Sequence, residues 1–223
     1  MILRKMVFQL TMLLTAGMTM SATAREGREW CHMWWENAHE TKRPRVLLIG
    51  DSIVNGLNGV TRKELADVAN VDLLASSKNI SDPALMKEVG YMLGEYEYVV
   101  VYFNHGLHGW SIPVSEYEAH LQTHVKRLRA LSGGAKLVWA SITPLRDPNE
   151  ARNKEIVAKN EIAARVMKEN GIKIQDLHAF VLGHEEWRSD NKRDAYHYCG
   201  KGNQALGKKV AEFIRTLCGW TKK

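Results

Sequence analysis

Val46-Leu47-Leu48-Ile49-Gly50-Asp51-Ser52-Ile53 begins with four branched apolar residues and breaks at glycine, aspartate and serine. A run this short and uniformly apolar, with no alternation to turn one face to water, reads as a strand buried on both faces of a parallel sheet. Four further runs have the same character: Val71 to Ala75, Tyr98 to Phe103, Leu137 to Ile142 and Ile172 to Ile174. Amphipathic stretches separate them. Asp82-Pro83 supplies an N-cap and a first-turn proline ahead of Leu85, Val89 and Leu93. Ser115 with Glu118 fits a capping box before Leu121, Val125 and Leu128. A third helix is predicted from Glu150 to Asn170, stopped by Gly171, and a last one from about Gly202 carries Leu206, Val210, Phe213 and Leu217. The alternation predicts one α/β domain, a three-layer α/β/α sandwich around a five-stranded parallel sheet, with its ligand site at the carboxyl ends of the strands. The tryptophan-rich lead, Trp30 to Glu36, is assigned no element.

Ahead of this domain stands a leader. Arg4 and Lys5 give a positive start, Met6 to Met18 is mostly apolar, and Ala22-Thr23-Ala24 is a small-residue cleavage site. Residues 1–24 are therefore expected to be a signal peptide and 25–223 the mature domain, periplasmic or secreted. The apolar stretch is too short for a spanning helix of roughly 20 residues, so no stable membrane insertion of the mature chain is expected. The 223-residue chain has a formal net charge of +6, two units of it in the leader. Its basic clusters, Lys42 to Arg45 and Lys126 to Arg129, lack the interleaved aromatics that stack on bases, so no nucleic-acid partner is expected. Cys31, Cys199 and Cys218 are an odd number, for which one disulfide and one free thiol is the simplest arrangement in an oxidising compartment.

Three separated segments can carry chemistry. Ser52 falls at the carboxyl end of the first strand, ahead of a helix start whose amides can polarise a substrate oxygen. Asp194-Ala195-Tyr196-His197 sets a carboxylate three residues before an imidazole, close enough within one loop to fix its tautomer. A serine hydroxyl becomes a strong nucleophile once such an imidazole takes its proton. Asn104, at the end of the Tyr98 to Phe103 strand, can aim its amide at a developing oxyanion. Each segment alone also has an ordinary reading as turn, cap or surface chemistry.

Taken together, Gly50-Asp51-Ser52, Asn104 and Asp194-x-x-His197 stand in the order and spread of the blocks of the SGNH hydrolases, and the chain resembles that superfamily and its GDSL-like esterases over nearly all of the mature domain. The resemblance implies a flavodoxin-like fold. It also implies Ser52 as nucleophile, His197 as general base and then acid, Asp194 orienting His197, and an oxyanion hole from the Ser52 amide, Asn104 and a second-block glycine amide. That glycine is absent from Ser77-Lys78-Asn79-Ile80-Ser81-Asp82, where Ser81 is the best positional match. The third block departs as well, with Tyr102-Phe103-Asn104-His105 replacing the usual Gly-x-Asn-Asp.

Substrate contact is assigned to Asp51, His105, His108, Trp110 and Trp187, the tryptophans because they fall in loops beside the expected site. His105 and His108 could share a metal, but no carboxylate or cysteine cluster completes a site, so neither a metal nor an organic cofactor is expected. The expected reaction is hydrolysis of a small acyl ester, O-acetyl on carbohydrate, with a small-molecule or polysaccharide ester as partner and the oligomeric state open. The alternatives are a lipid esterase or thioesterase of the same fold, or an SGNH-like carbohydrate-binding module without catalysis.

Overall fold

The structure is a computed structural model that describes residues 25–146 and 150–221; the expected signal peptide lies outside them. In chain order the elements are β1 (Cys31–Trp34), β2 (Arg45–Gly50), α1 (Ser52–Leu65), β3 (Asn70–Ser76), α2 (Pro83–Glu95), β4 (Val100–Phe103), α3 (Val114–Leu131), β5 (Lys136–Ala140), α4 (Glu150–Glu169), β6 (Lys173–Gln175), α5 (Leu177–Val181) and α6 (Gly200–Cys218). The sheet order is β1-β3-β2-β4-β5-β6. From β3 to β6 all pairings are parallel, with Leu48 level with Leu73 on one side and Tyr102 on the other. Taken in chain order, those five strands have the flavodoxin-like order 2-1-3-4-5, whose topological switch point lies between β2 and β4.

Each of the five predicted apolar runs overlaps a strand, and β2, β3 and β4 are buried throughout. Helices α1 and α6 pack together on one face of the sheet; α3 packs with α2 and α4 on the other. The first pair approaches closely at Gly207, which lies against Leu57 and Val60 and whose carbonyl accepts from the Thr61 hydroxyl, while Ile53, Leu57, Leu206, Val210 and Ile214 are all buried. Asp82 caps α2 as expected, accepting from the Ala84 amide. Gly171 ends α4 at φ +63°, where the Gly171 and Ile172 amides reach back to Lys168 O and Met167 O.

Four expectations need correction. Among the described residues the sheet has six strands, because β1 pairs antiparallel with β3, Cys31 opposite Ser76 and Trp34 opposite Leu73. An edge strand with one face in water needs no continuous apolar run, so periodicity could not reveal it. The capping box at Ser115 does not form; Pro113 stands at the N-cap of α3 with no side-chain bond, and its fixed φ already directs the chain into the helix. The last helix starts two residues early, at Gly200. All three cysteines are free. Cys199 and Cys218 flank α6, about 28 Å apart at 1.5 Å per residue, and Cys31 lies in the opposite edge strand.

Candidate active site

The carboxyl end of β2 hands the chain directly to α1. Asp51 is the N-cap: its Oδ1 accepts the Ile53 amide at 2.9 Å, leaving Ser52 as the first helical residue. An amide in the first turn of a helix has no acceptor one turn back, so the Ser52 N–H stays available at the positive end of the α1 dipole.

The long connection before α6 brings the imidazole to this hydroxyl. His197 Nε2 lies 2.8 Å from Ser52 Oγ, and His197 Nδ1 lies 3.0 Å from each Asp194 carboxylate oxygen. Asp194 Oδ1 also accepts the backbone amides of Tyr196 at 3.0 Å and His197 at 3.1 Å. Burial pushes the Asp194 carboxyl up, but those two amides and the imidazole outweigh it and hold it below the usual carboxylate range. A carboxylate kept ionised against Nδ1–H leaves Nε2 as the proton acceptor facing the hydroxyl. The His197 side chain is 47% exposed, so the site is an open crevice at the switch point. A hollow of about 890 Å³ lies elsewhere, along α6 between Phe180 and Trp220, and includes none of the three residues.

Two arginines brace the loop that presents Asp194 and His197. The Arg146 amide donates to Ala195 O, and its guanidinium donates to Asn191 O at 3.1 Å and Ser189 O at 2.6 Å. The buried Arg188 donates to Pro144 O and Tyr198 Oη. Replacing Arg146 by alanine frees two carbonyls that fix the loop, and displacements on the scale of 1 Å cost up to about 100-fold. Arg146→Ala is expected to lower kcat by about 10- to 100-fold with little change in KM, measured by steady-state ester hydrolysis.

The remaining predicted residues divide. Asn104 is buried behind the crevice, where Nδ2 donates to Ala140 O at 3.2 Å and Ser141 O at 3.0 Å, so an oxyanion would have to draw one hydrogen from a carbonyl. Ser81 is a correction: its amide is taken by Asn79 Oδ1 at 2.9 Å in an Asx turn. Asp51 is a second correction, 1% exposed and committed to the Ile53 and Leu107 amides rather than to substrate; burial holds its carboxyl above the usual range. His105 is a third, 4% exposed and edge-on to the buried His124 at 5.6 Å; burial drives His105 well below the ordinary histidine range and His124 down to about 4. Trp110 is covered by Arg152 at 4.6 Å and Lys159 at 5.8 Å, and Trp187 is stacked on His184 at 3.7 Å. His108 follows Leu107, whose amide reaches the Asp51 carboxylate, and its Nδ1 lies 2.5 Å from Glu26 Oε1.

Sequence reasoning missed three further residues there. His32 in β1 approaches Asn55 of α1, and Trp30 stands between His32 and His108. Their signal was the tryptophan-rich lead, but nothing in it tells which sheet edge it joins.

No family model matches the chain, and no curated protein is similar to it in sequence. Solved structures are similar in fold. A GDSL-like lipase from Bacteroides thetaiotaomicron superposes with a TM-score of 0.59 at 13% identity, over 78% of this chain and 88% of that one. A lipase/acylhydrolase from Enterococcus faecalis gives 0.62 at 16% identity, over 78% and 96%. An acetyl xylan esterase, AlAXEase, gives 0.60 at 17% identity, over 76% and 99%. The chain has the α/β/α fold of the SGNH and GDSL-like hydrolases, which the order of its motifs implied.

Proposed function

We propose that the protein is an exported serine ester hydrolase that removes small acyl groups, acetyl foremost, from hydroxyls of carbohydrate. The observation that carries this reading is the unbroken chain from Ser52 Oγ through His197 to Asp194. Ser52 Oγ attacks the ester carbonyl carbon as its proton passes to His197 Nε2. The resulting oxyanion is met by the Ser52 amide, and as a stronger acceptor than a neutral carbonyl it draws an Asn104 hydrogen away from Ser141 O. Collapse breaks the bond to the alcohol oxygen, which takes the proton from imidazolium. Water then attacks the acyl-serine, giving its proton to His197, and the carboxylic acid leaves as Ser52 regains its hydrogen. No step calls for a metal or an organic cofactor.

The leader over 1–24 supports export to the periplasm or beyond. Exposure of His197 supports a bulky alcohol, since the triad meets solvent at an open surface. Among the described residues no helix is long and apolar enough to cross a membrane. The test is a series of p-nitrophenyl esters from acetate to palmitate. Acetate is expected to give the highest kcat/KM, by about tenfold or more over chains beyond eight carbons, a difference of about 1.4 kcal/mol in transition-state binding. Preference for long chains would replace the reading by a lipid esterase, and release no faster than background would leave a non-catalytic binding module.

A further inference from the structure

Beyond β1 the chain is pinned at its amino side. The Trp30 amide donates to Ser77 Oγ at 2.9 Å, and the Ser77 amide donates to Trp30 O at 3.1 Å. This fixes a ring at the carboxyl edge of the sheet, where Trp30 lies 5.2 Å from His32 and 5.9 Å, edge-on, from His108. Each histidine is tied to a neighbour of the nucleophile. His32 Nδ1 comes within 3.5 Å of Asn55 Oδ1, and Asn55 sits one helical turn past Ser52, on the same face of α1. His108 follows Leu107, whose amide reaches the carboxylate of Asp51. Glu26 closes the group through His108. None of these side chains belongs to the triad or its bracing, and His32, Asn55 and Glu26 are exposed while Trp30 and His108 are half-buried.

We propose that this cluster is the subsite for the alcohol portion of the ester, and that it binds a sugar ring. The inference rests on the reading of Ser52 as nucleophile. One apolar indole with four hydrogen-bonding groups around it matches a pyranose, which offers C–H faces to an aromatic ring and hydroxyls at its edge. A fatty chain would cover these two hydrogen-bonded pairs, His32 with Asn55 and His108 with Glu26, and offer nothing to the donors and acceptors that each pair leaves facing water, whereas sugar hydroxyls can meet them. Asn55, three residues on from Ser52 in α1, has its Cβ about 5 to 6 Å from that of Ser52 by helix geometry, and His32 is the next group out.

The experiment compares kcat/KM for acetylated xylo-, manno- and chito-oligosaccharides with kcat/KM for vinyl acetate, whose alcohol portion is too small to reach the cluster. Trp30→Ala is expected to lower the ratio of sugar ester to vinyl acetate by about tenfold or more for at least one sugar, chiefly through KM, and the exposed His32→Ala by about fivefold. A ratio within twofold of wild type in both variants overturns the proposal. Calorimetric binding of the same oligosaccharides to Ser52→Ala, with and without Trp30→Ala, separates the two readings. Vinyl acetate turnover no faster in wild type than in Ser52→Ala sinks the esterase, whereas the subsite falls if Ser52→Ala binds none of the three sugars or binds them equally after Trp30 is removed.

Discussion

Ser52→Ala is expected to lower kcat for p-nitrophenyl acetate by about 10,000-fold or more, the scale on which loss of the nucleophile in such a constellation is measured. The substitution deletes the attacking oxygen and the group that His197 Nε2 faces at 2.8 Å. It should do so without disturbing the fold. The cap of α1 is the Asp51 carboxylate, not the serine hydroxyl, and alanine is the better helix former at this position. Unfolding free energy should therefore stay within about 0.5 kcal/mol of wild type. Asp194→Asn should cost nearly as much in kcat, because the amide can still accept from the Tyr196 and His197 backbone through Oδ1 while its N–H₂, in the place of Oδ2, faces His197 Nδ1 and favours the wrong tautomer. Stopped-flow release of nitrophenol gives both numbers, and equal rates for Ser52→Ala and wild type would remove the acyl-enzyme from consideration.

What could be read from the chain follows from what each interaction leaves in the sequence. Strands buried on both faces leave unbroken runs such as Val46 to Ile49, and Asp194-x-x-His197 is legible because both partners lie in one loop. The convergence of that loop on Ser52 was legible only through the order of three motifs, since the contact spans most of the domain. Strand β1 stayed hidden because its pattern is mostly exposed and its partner is chosen by an edge that exists only after the sheet forms. Ser81 was misplaced for a local reason: Asn79, two residues back, captures its amide, and an Asx turn competes with every other use of that donor. Asp51 and His105 stand next to Ser52 and Asn104 in sequence, yet both are buried: the Asp51 carboxylate is spent on the Ile53 and Leu107 amides at the start of α1, and the His105 ring packs edge-on against the buried His124.

The largest effect on stability is expected from Asp72→Ala, at the amino-terminal side of the sheet. Asp72 in β3 is fully buried, and its carboxylate accepts from Arg45 at 2.9 and 3.0 Å, from the Glu36 amide at 2.8 Å and from Tyr98 Oη at 3.0 Å. Arg45 in turn donates to the carbonyls of Glu36, Asn37 and Glu40 and lies over the Tyr96 ring at 3.9 Å. Burial pushes the Asp72 carboxyl above its ordinary range in spite of these partners, as happens when desolvation of an ion pair exceeds the attraction within it. Such a pair contributes little net stability, yet breaking it is costly because the guanidinium is left buried and unpaired. Asp72→Ala is thus expected to cost about 3 to 5 kcal/mol in denaturant unfolding. Asp72→Leu combined with Arg45→Met should cost less than the single change, though not nothing, since three carbonyls then lose their donor. A double variant as unstable as Asp72→Ala would show that the charge is not the cause. Functionally the damage should appear at the far end of β1. Once the Glu36 amide loses its acceptor, the strand that carries His32 and places Trp30 is held less firmly, so KM for an acetylated oligosaccharide should rise before kcat for vinyl acetate falls.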